Sequence, residues 1–434
     1  MTIQSRIHHF EKDKKSIKGE LHYDFESILR HIPANQTNYA THSFYEYPAK
    51  FIPHFPNIFI KHLSEPNETV LDPMCGIGTT LIEACILGRR GLGIDIDPIA
   101  RLISKVSITP IDEQKLRNLN KQLINDIRNS INDGNLLNIE IPNKEDFPNI
   151  DIWFREETIK ELLLIKNIIS KISEKNKDYK DFATAVLTTI IKSVSNADPR
   201  DLMPERDKDM PIRPKQDIVK VFSDALYEKT NKLIDFSKKV NFKKCGEVIG
   251  SDARNIQLKD GSVDLVVTSP PYAYAVDYAR VTKLSTLLIL MSNQKLKEHR
   301  KDYIGTDRIS LKNEISSFRG FEFAENDVKK IVEKDRRCAL VLYNYLKDMY
   351  NVTKEIYRVL DRNKNLVYVI GDATIKKTHF ATGSVLEKMC KNVGFEIEKI
   401  LERPYYARRM ARKRASHSNV TKNDIFIIAK KVND

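Results

Sequence analysis

The feature that most constrains the fold of this chain is residues 69–95, where a short apolar strand leads into a glycine turn, a helix and a second strand. The first strand is Thr69-Val-Leu-Asp72, the turn is Pro73-Met-Cys-Gly-Ile-Gly78, and the second strand is Gly91-Leu-Gly-Ile-Asp95. A strand that feeds a helix N-terminus in this way is typical of α/β proteins with a parallel sheet. The segment therefore predicts an α/β fold with a Rossmann-like, mostly parallel sheet.

Further strands and helices are predicted from apolar patterns. Short β-branched runs, which suit strands buried on both faces, occur at 248–250, 263–268, 366–370, 395–401 and 425–429. Between the two groups of strands, apolar residues recur at helical spacing, as in Leu116, Leu119 and Leu123. This part of the chain predicts a helical insertion into the sheet.

Composition limits the partners and the compartment. The 72 Lys and Arg residues exceed the 59 Asp and Glu residues and leave a net charge of +13, which favours a polyanionic partner. No apolar run approaches the roughly 20 residues of a membrane helix, and the start of the chain does not resemble a secretory signal. The 5 cysteines are scattered without a CxxC, which argues against a disulfide framework and a zinc site. We expect a cytoplasmic protein with no metal and no membrane contact.

The glycine turn predicts a ligand pocket. Gly76 and Gly78 permit a tight turn and a close approach of the backbone to a ligand. Asp95 follows Gly78 by 17 residues and ends the next strand, where an acidic group can accept both hydroxyl hydrogen bonds of a ribose. The chain lacks the GxxxxGK[ST] of triphosphate sites and the third glycine of dinucleotide sites. An adenosine derivative of another kind is the predicted ligand.

The segment 72–80 resembles the S-adenosylmethionine motif of DNA amino-methyltransferases, and 93–98 resembles their ribose motif. The family usually has Phe where this chain has Met74. Segment 47–53 is similar to the part that covers the methionine end of the cofactor, and 251–253 to the part that reads the adenine amino group. The resemblance implies S-adenosylmethionine as cofactor and the following contacts: Lys50, Phe51, Asp72, Cys75, Gly76, Gly78, Thr79, Asp95 and Asp252.

A second motif, Thr268-Ser269-Pro270-Pro271-Tyr272, follows the predicted strand at 263–268. Adjacent prolines make a rigid loop whose carbonyls accept hydrogen bonds, which suits the protons of an amine. The motif resembles the S/D/N-P-P-Y motif of the same family. The resemblance implies that Ser269 Oγ and the Pro270 carbonyl accept the amine protons, and that Tyr272 stacks on a base flipped out of the duplex.

The resemblance implies a class I methyltransferase fold and a specific function. Ser269, rather than Asp or Asn, favours methylation of cytosine N4 in double-stranded DNA, within a restriction-modification or defence system of a bacterial or archaeal cell. A cognate restriction endonuclease is then an expected partner. None of the 17 prolines precedes a Cys, which argues against ring-carbon cytosine methylation. Adenine N6 methylation, guanine N2 methylation of RNA and a non-catalytic DNA-recognition subunit remain alternatives.

Two basic segments are candidates for DNA contact. The segment 403–414 places six cations and two tyrosines within twelve residues, a composition that suits contact with phosphates. Its predicted DNA-binding residues are Arg403, Arg408, Arg409, Arg412, Lys413 and Arg414. The second candidate is the segment 278–308.

The predicted organisation has four parts. They are an N-terminal extension at 1–40, the cofactor-binding part of the catalytic domain at 41–107, the helical insertion at 108–245, and a second catalytic part at 246–434 with a candidate target-recognition segment at 279–340.

Overall fold

The computed structural model of the chain describes residues 37–47, 50–201, 203–206, 212–240, 245–273, 278–312, 314–315, 317–404 and 423–432. Its main sheet contains β1 Thr69–Asp72, β2 Arg90–Ile94, β3 Gly246–Gly250, β4 Val263–Thr268, β5 Leu360–Ile370, β8 Phe395–Pro404 and β9 Asn423–Lys431. Two further strands, β6 Ala373–Ile375 and β7 Thr378–Phe380, pair in an antiparallel hairpin.

The strand order of the main sheet is β3-β2-β1-β4-β5-β9-β8. The first five strands of this order are parallel to one another, whereas β9 runs antiparallel to β5 and β8 antiparallel to β9. The predicted α/β fold with a mostly parallel sheet is therefore confirmed. In such sheets ligands bind beyond the carboxyl ends of the strands, at the point where the strand order reverses. Here that point lies between β1 and β4.

The strand β5 begins at Leu360, six residues before the predicted start at 366. Its first half is polar, and Asp361, Arg362 and Asn363 are exposed, whereas the residues from Leu366 to Ile370 are buried. An apolar pattern can detect only the buried half of such a strand.

The helices are α1 His54–Leu63, α2 Thr79–Ile86, α3 Pro98–Ser107, α4 Glu113–Asn132, α5 Ile150–Trp153, α6 Glu156–Ser170, α7 Lys177–Ile191, α8 Ile218–Ser237, α9 Tyr278–Val281, α10 Lys283–Ser285, α11 Asn293–His299, α12 Glu325–Val332, α13 Arg336–Val359 and α14 Thr382–Val393. Short 3-10 turns lie at Asn135–Asn138, Glu174–Asn176 and Glu322–Ala324, and a π-helical turn at Thr286–Leu290. None of the described helices is long and apolar enough to cross a bilayer.

Helices α4 to α8 fill the stretch between β2 and β3 where the sequence predicts a helical insertion. Their buried side chains, such as Leu123, Phe182 and Phe222, belong to the same hydrophobic cluster as Leu81 of α2 and Ile103 of α3. The added helices therefore complete the core on the side of the sheet that carries the cofactor-motif helices. The domain boundaries given above stay a prediction.

The pairing of two cysteines differs from the expectation, in which the scattered cysteines argue against a disulfide framework. Cys85 of α2 and Cys245, the residue before β3, form a disulfide, although 160 residues separate them. Cys245 reaches α2 because β3 pairs with β2, and the Gly91 amide donates to the Cys245 carbonyl at 3.0 Å. Sequence spacing alone does not reveal a pair created by strand pairing. Cys75, Cys338 and Cys390 are buried and are not part of this disulfide.

Candidate active site

A cleft of about 920 Å³, its open mouth included, lies beyond the carboxyl ends of β1, β2 and β4. The predicted site residues that line it are Lys50, Phe51, Asp72, Cys75, Gly76, Thr79, Asp95, Asp252 and Ser269. Gly78 caps α2 directly beside this lining, while Pro270 is buried and Tyr272 is partly buried against the core next to the cleft. The glycine turn and the Ser-Pro-Pro corner thus open on one cleft, as Ser269 and Pro271 show.

Two glycines shape the turn between β1 and α2. Gly76 and Gly78 have φ angles of +54° and +88°, which side chains with a Cβ rarely adopt. A Cβ on Gly78 would lie 2.4 Å from Ser104 Oγ. A Cβ on Gly76 would meet only Tyr47, at 4.0 Å, and would take up space in the cleft that both residues line. Gly78 is needed for packing, and Gly76 keeps the cleft open to a ligand.

Asp72 joins β1, β4 and the start of α2. Its Oδ1 accepts from Thr268 Oγ1 at 2.6 Å and from the Met74 amide at 3.2 Å, and its Oδ2 accepts from Thr80 Oγ1 at 2.7 Å. Burial raises the pKa of Asp72 to about 6, although these hydrogen bonds oppose the shift. Asp72 therefore holds the two motifs together in addition to lining the cleft.

Asp95 is the first residue after β2 and lies beside the glycine turn. Its Oδ2 accepts from the Gly76 amide at 2.7 Å, and its Oδ1 accepts from the Asp97 amide at 2.8 Å. Burial raises the pKa of Asp95 to about 7, and the neighbouring Asp97 carboxylate adds to the shift. Each oxygen keeps a further lone pair, so the carboxylate can still accept hydrogen bonds from a ligand.

Asp97 is a buried residue that the sequence interpretation missed. Its Oδ1 caps α3 by accepting from the amides of Ile99 and Ala100, at 2.8 and 3.1 Å. Its Oδ2 accepts from Thr282 Oγ1 at 2.7 Å, which ties the ribose-motif strand to the chain that follows the Ser-Pro-Pro-Tyr motif. An Asp-Pro pair at a helix start is a capping signal that could have identified it.

Asp252 lies in the cleft beside Ser251 and Ala253. Its carboxylate pairs with Arg254 at 2.9 Å, and Arg254 also pairs with Asp348 at 3.1 Å. Although burial opposes the change, hydrogen bonds from Arg254 lower the pKa of Asp252. The carboxylate is thus ionised at neutral pH. Arg254 also lines the cleft and was not predicted.

The segment around Lys50 is anchored to the cofactor-motif helix. The Lys50 ammonium donates to the His42 carbonyl, and burial lowers the pKa of Lys50 to about 8. The buried Glu83 of α2 accepts from His42 Nε2, Tyr39 OH and Asn57 Nδ2, each at 2.6 Å. This network fixes the chain that carries Lys50 against α2.

The segment that follows the Ser-Pro-Pro-Tyr motif supplies cleft residues that the sequence interpretation missed. Tyr278, Asp302, Tyr303 and Ile304 all line the cleft. Burial raises the pKa of the Tyr303 hydroxyl, and the nearby Asp97 carboxylate adds to the shift. The sequence makes the segment 278–308 a candidate for DNA contact, and the structure brings its first residue and three residues near its end to the cleft.

Most of the basic loop lies outside the described residues, including Arg408, Arg409, Arg412, Lys413 and Arg414. Arg403 is described and has an exposed fraction of only 7%. Its guanidinium pairs with Asp424 at 3.6 Å and lies 5.3 Å from the Phe55 ring centroid. This placement does not fit the predicted phosphate contact for Arg403, because the side chain is held between β8, β9 and α1.

The described part of the chain contains no cluster of three or more His, Cys, Asp or Glu side chains that could hold a metal ion. The cleft offers carboxylates, carbonyls, backbone amides and aromatic rings. Such groups suit an organic ligand that carries a ribose and amino groups.

The strand order, the glycine turn and the acidic strand end are those of the class I methyltransferase fold. Residues 3–105 match the family model of N6 and N4 methyltransferases, described as DNA methylase. The chain is 28% identical over 384 residues to the Type II methyltransferase M.MvaI of Kocuria varians, a match that covers 82% of each chain. It is 30% identical over 117 residues to M.MjaII of Methanocaldococcus jannaschii, covering 27% of this chain and 22% of that one.

A solved SAM-dependent methyltransferase from Methanosarcina mazei aligns with 90% of this chain and 100% of its own, at 10% identity and a TM-score of 0.32. That structural likeness is too low to support the assignment. The family match and the curated relatives confirm the resemblance found in the sequence. The chain is a relative of the S-adenosylmethionine-dependent DNA amino-methyltransferases of the N4/N6 family. At the level of the family, the prediction of S-adenosylmethionine as cofactor is confirmed too.

Proposed function

We propose that the protein transfers a methyl group from S-adenosylmethionine to the exocyclic N4 of cytosine at a specific site in double-stranded DNA. The observation that carries the proposal is the common cleft of the glycine turn and the Ser-Pro-Pro corner, joined by the hydrogen bond between Asp72 and Thr268. The match to the DNA methylase family supports DNA as the substrate.

The residues of the cleft fit the proposed cofactor. Gly76 leaves open the space that a Cβ would fill, and its amide donates to the carboxylate of Asp95, the residue after β2. In the proposed binding mode Lys50 and Phe51 hold the methionine end, Asp95 accepts from the ribose hydroxyls, and Asp252 accepts from the adenine amino group. When bound, S-adenosylmethionine supplies an activated methyl group on a positively charged sulfur.

The Ser-Pro-Pro corner then binds and orients the amine. Ser269 Oγ and the Pro270 carbonyl accept its protons, which orients the nitrogen lone pair towards the methyl carbon. The nitrogen forms the new bond to carbon as the carbon–sulfur bond breaks, the bonding electrons stay on sulfur, and the nitrogen releases one proton to water. Asp72 and Thr268 keep the corner in place during this exchange.

Access to the amine requires base flipping. A base inside a duplex cannot reach the cleft, and its extrusion costs a few kcal/mol. Stacking on Tyr272, worth roughly 1–3 kcal/mol, offsets part of this cost. Tyr272 packs partly against the core beside the cleft, which gives the ring a fixed support.

The choice of base rests on Ser269, since the adenine enzymes of the family more often carry Asp or Asn there. Adenine N6 is the second candidate, because the matching family model covers both N6 and N4 methylation. We further propose that the enzyme works in the cytoplasm of a bacterial or archaeal cell, beside a cognate restriction endonuclease. The relatives M.MvaI and M.MjaII are Type II methyltransferases, which supports this setting.

The test is incubation of the purified chain with duplex DNA, and in parallel with transfer RNA, in the presence of methyl-labelled S-adenosylmethionine. The nucleic acid is digested to nucleosides and analysed by mass spectrometry. Labelled N4-methylcytosine is expected from DNA. Labelled N6-methyladenine would move the assignment to the second candidate, labelled N2-methylguanine from RNA would contradict the DNA substrate, and no labelled nucleoside would favour a non-catalytic DNA-recognition subunit.

A further inference from the structure

Two tyrosines form a stacked pair in the cleft. The rings of Tyr47 and Tyr278 have centroids 6.1 Å apart and planes only 18° from parallel. Both line the cleft, although 231 residues separate them in the chain. Tyr278 lies six residues after Tyr272, at the start of α9. Neither ring has a role in the binding mode proposed above.

The pair lies near the glycine turn, the ribose acid and the base-stacking residue. Tyr47 Cε1 is 4.0 Å from the position of a Cβ on Gly76, whose amide donates to Asp95. Tyr278 lies close enough to both Tyr272 and Asp95 for each to raise its pKa, although burial is the larger cause. The sulfur of S-adenosylmethionine is bonded to the ribose carbon on one side and carries the methyl group that faces the base on the other. With the cofactor in the proposed binding mode, a cleft residue near both Asp95 and Tyr272 would neighbour that sulfur.

The chemistry of the pair suits a cation. Burial raises the pKa of both hydroxyls above the usual value, so the rings stay neutral at physiological pH. The face of a neutral aromatic ring carries partial negative charge and attracts a cation within about 6 Å of its centroid.

We propose that Tyr47 and Tyr278 form an aromatic wall for the sulfonium of S-adenosylmethionine and thereby distinguish the charged cofactor from its neutral product, S-adenosylhomocysteine. The proposal rests on the proposed cofactor and deepens it. It implies that transfer of the methyl group weakens the attraction at this wall, which favours release of the product.

The test is calorimetric titration of S-adenosylmethionine, S-adenosylhomocysteine and sinefungin into the wild type, Tyr278→Leu and Tyr278→Phe. Sinefungin carries a protonated amine in place of the sulfonium. Leu removes the π face at similar volume, so we expect a roughly 3- to 30-fold loss of affinity for the two cationic ligands and less than about twofold for S-adenosylhomocysteine. Phe retains the ring and should bind all three ligands nearly as the wild type does.

Tyr303→Leu is the matched control, since Tyr303 also lines the cleft but lies near Asp97 and is not part of the stacked pair. It should not change the ratio of the affinities for S-adenosylmethionine and S-adenosylhomocysteine. If Tyr278→Leu does not fold, as judged by its thermal unfolding, Tyr47→Leu carries the same expectation.

An equal loss for charged and neutral ligands in the Leu variants, or no loss, overturns the proposal. An equal loss together with weaker DNA binding would assign the pair to the flipped base instead. These results are separate from a failure of the proposed function, in which the wild type itself binds neither cofactor nor product.

Discussion

Thr268 Oγ1 donates to Asp72 Oδ1 at 2.6 Å and so connects the last residues of β4 and β1. The two strands are parallel neighbours, with Leu71 paired to Val266. Ser269 is the next residue after Thr268, and the glycine turn begins directly after Asp72. This one hydrogen bond therefore sets the distance between the residues proposed to hold the amine and those proposed to hold the cofactor.

Ser269→Ala should lower methyl transfer roughly 100-fold or more, because it removes one of the two acceptors that orient the amine. Cofactor affinity measured by calorimetry should be unchanged. Ser262→Ala is the matched control, since Ser262 lies at the opposite end of the same strand and bonds only to the Lys259 carbonyl among the described contacts. Loss of cofactor binding in Ser269→Ala would show that Ser269 supports the fold rather than the amine.

The affinity for an adenosine ligand should depend on pH through Asp95. Its pKa is about 7, so the carboxylate is ionised above pH 7 and increasingly protonated below it. Protonation removes an acceptor for the ribose hydroxyls, so affinity should fall roughly tenfold between pH 8 and pH 6. The probe is methylthioadenosine, which lacks the titrating α-amino group of the cofactor. Asp95→Asn should bind weakly at every pH, and an equally flat profile in the wild type would contradict the prediction.

The stability of the ligand-free protein should fall as pH rises from about 4 to about 6 because of Asp72. The folded-state pKa of about 6 exceeds the unfolded value of 3.8, so the folded protein binds this proton more tightly. The stabilisation is complete below the unfolded pKa and is lost as pH rises through the folded pKa. Over this pH range, the fall in the free energy of unfolding should be about 1–3 kcal/mol smaller in Asp72→Asn than in the wild type. Urea unfolding at several pH values measures the free energy of unfolding. An identical pH dependence in the wild type and in Asp72→Asn would contradict the role of Asp72.

Glu83→Ala should destabilise the protein by roughly 3–5 kcal/mol, because it leaves three donors without their shared buried acceptor. Tyr39→Phe removes one of those donors and should cost only about 1 kcal/mol. Both values come from urea unfolding. Glu113→Ala serves as the control, since Glu113 forms an exposed pair with Arg117 and should cost far less than Glu83→Ala. A similar cost for Glu83 and Glu113 would show that the network is not a structural anchor.

Arg408→Ala combined with Arg409→Ala should weaken DNA binding and reduce the slope of log affinity against log salt by about two units, since each phosphate contact releases counterions. Binding isotherms at several salt concentrations measure the slope. Lys171→Ala with Lys175→Ala removes the same charge from the exposed end of the helical insertion and provides the comparison. An unchanged slope in the arginine variant would remove the basic loop from the interface.

The secondary-structure part of the sequence interpretation depended on local patterns and agrees with the structure where structure is local. The βαβ unit at 69–95, the helical insertion and the later strands follow from apolar periodicity and turn chemistry. The polar first half of β5 escaped notice because its residues are exposed. Two other features could not be predicted because each depends on which strands pair. They are the disulfide between Cys85 and Cys245 and the burial of Arg403 against Asp424.

The sequence by itself determined the kind of chemistry to expect, through a glycine turn, an acidic strand end and a Ser-Pro-Pro-Tyr corner, each encoded within a few neighbouring residues. Only the tertiary structure decided that these meet in one cleft and that Tyr47, Tyr278 and Tyr303 complete its wall. The physical reason is strand order. Asp72 and Thr268 are 196 residues apart, and they touch only because β1 and β4 are neighbours in the sheet.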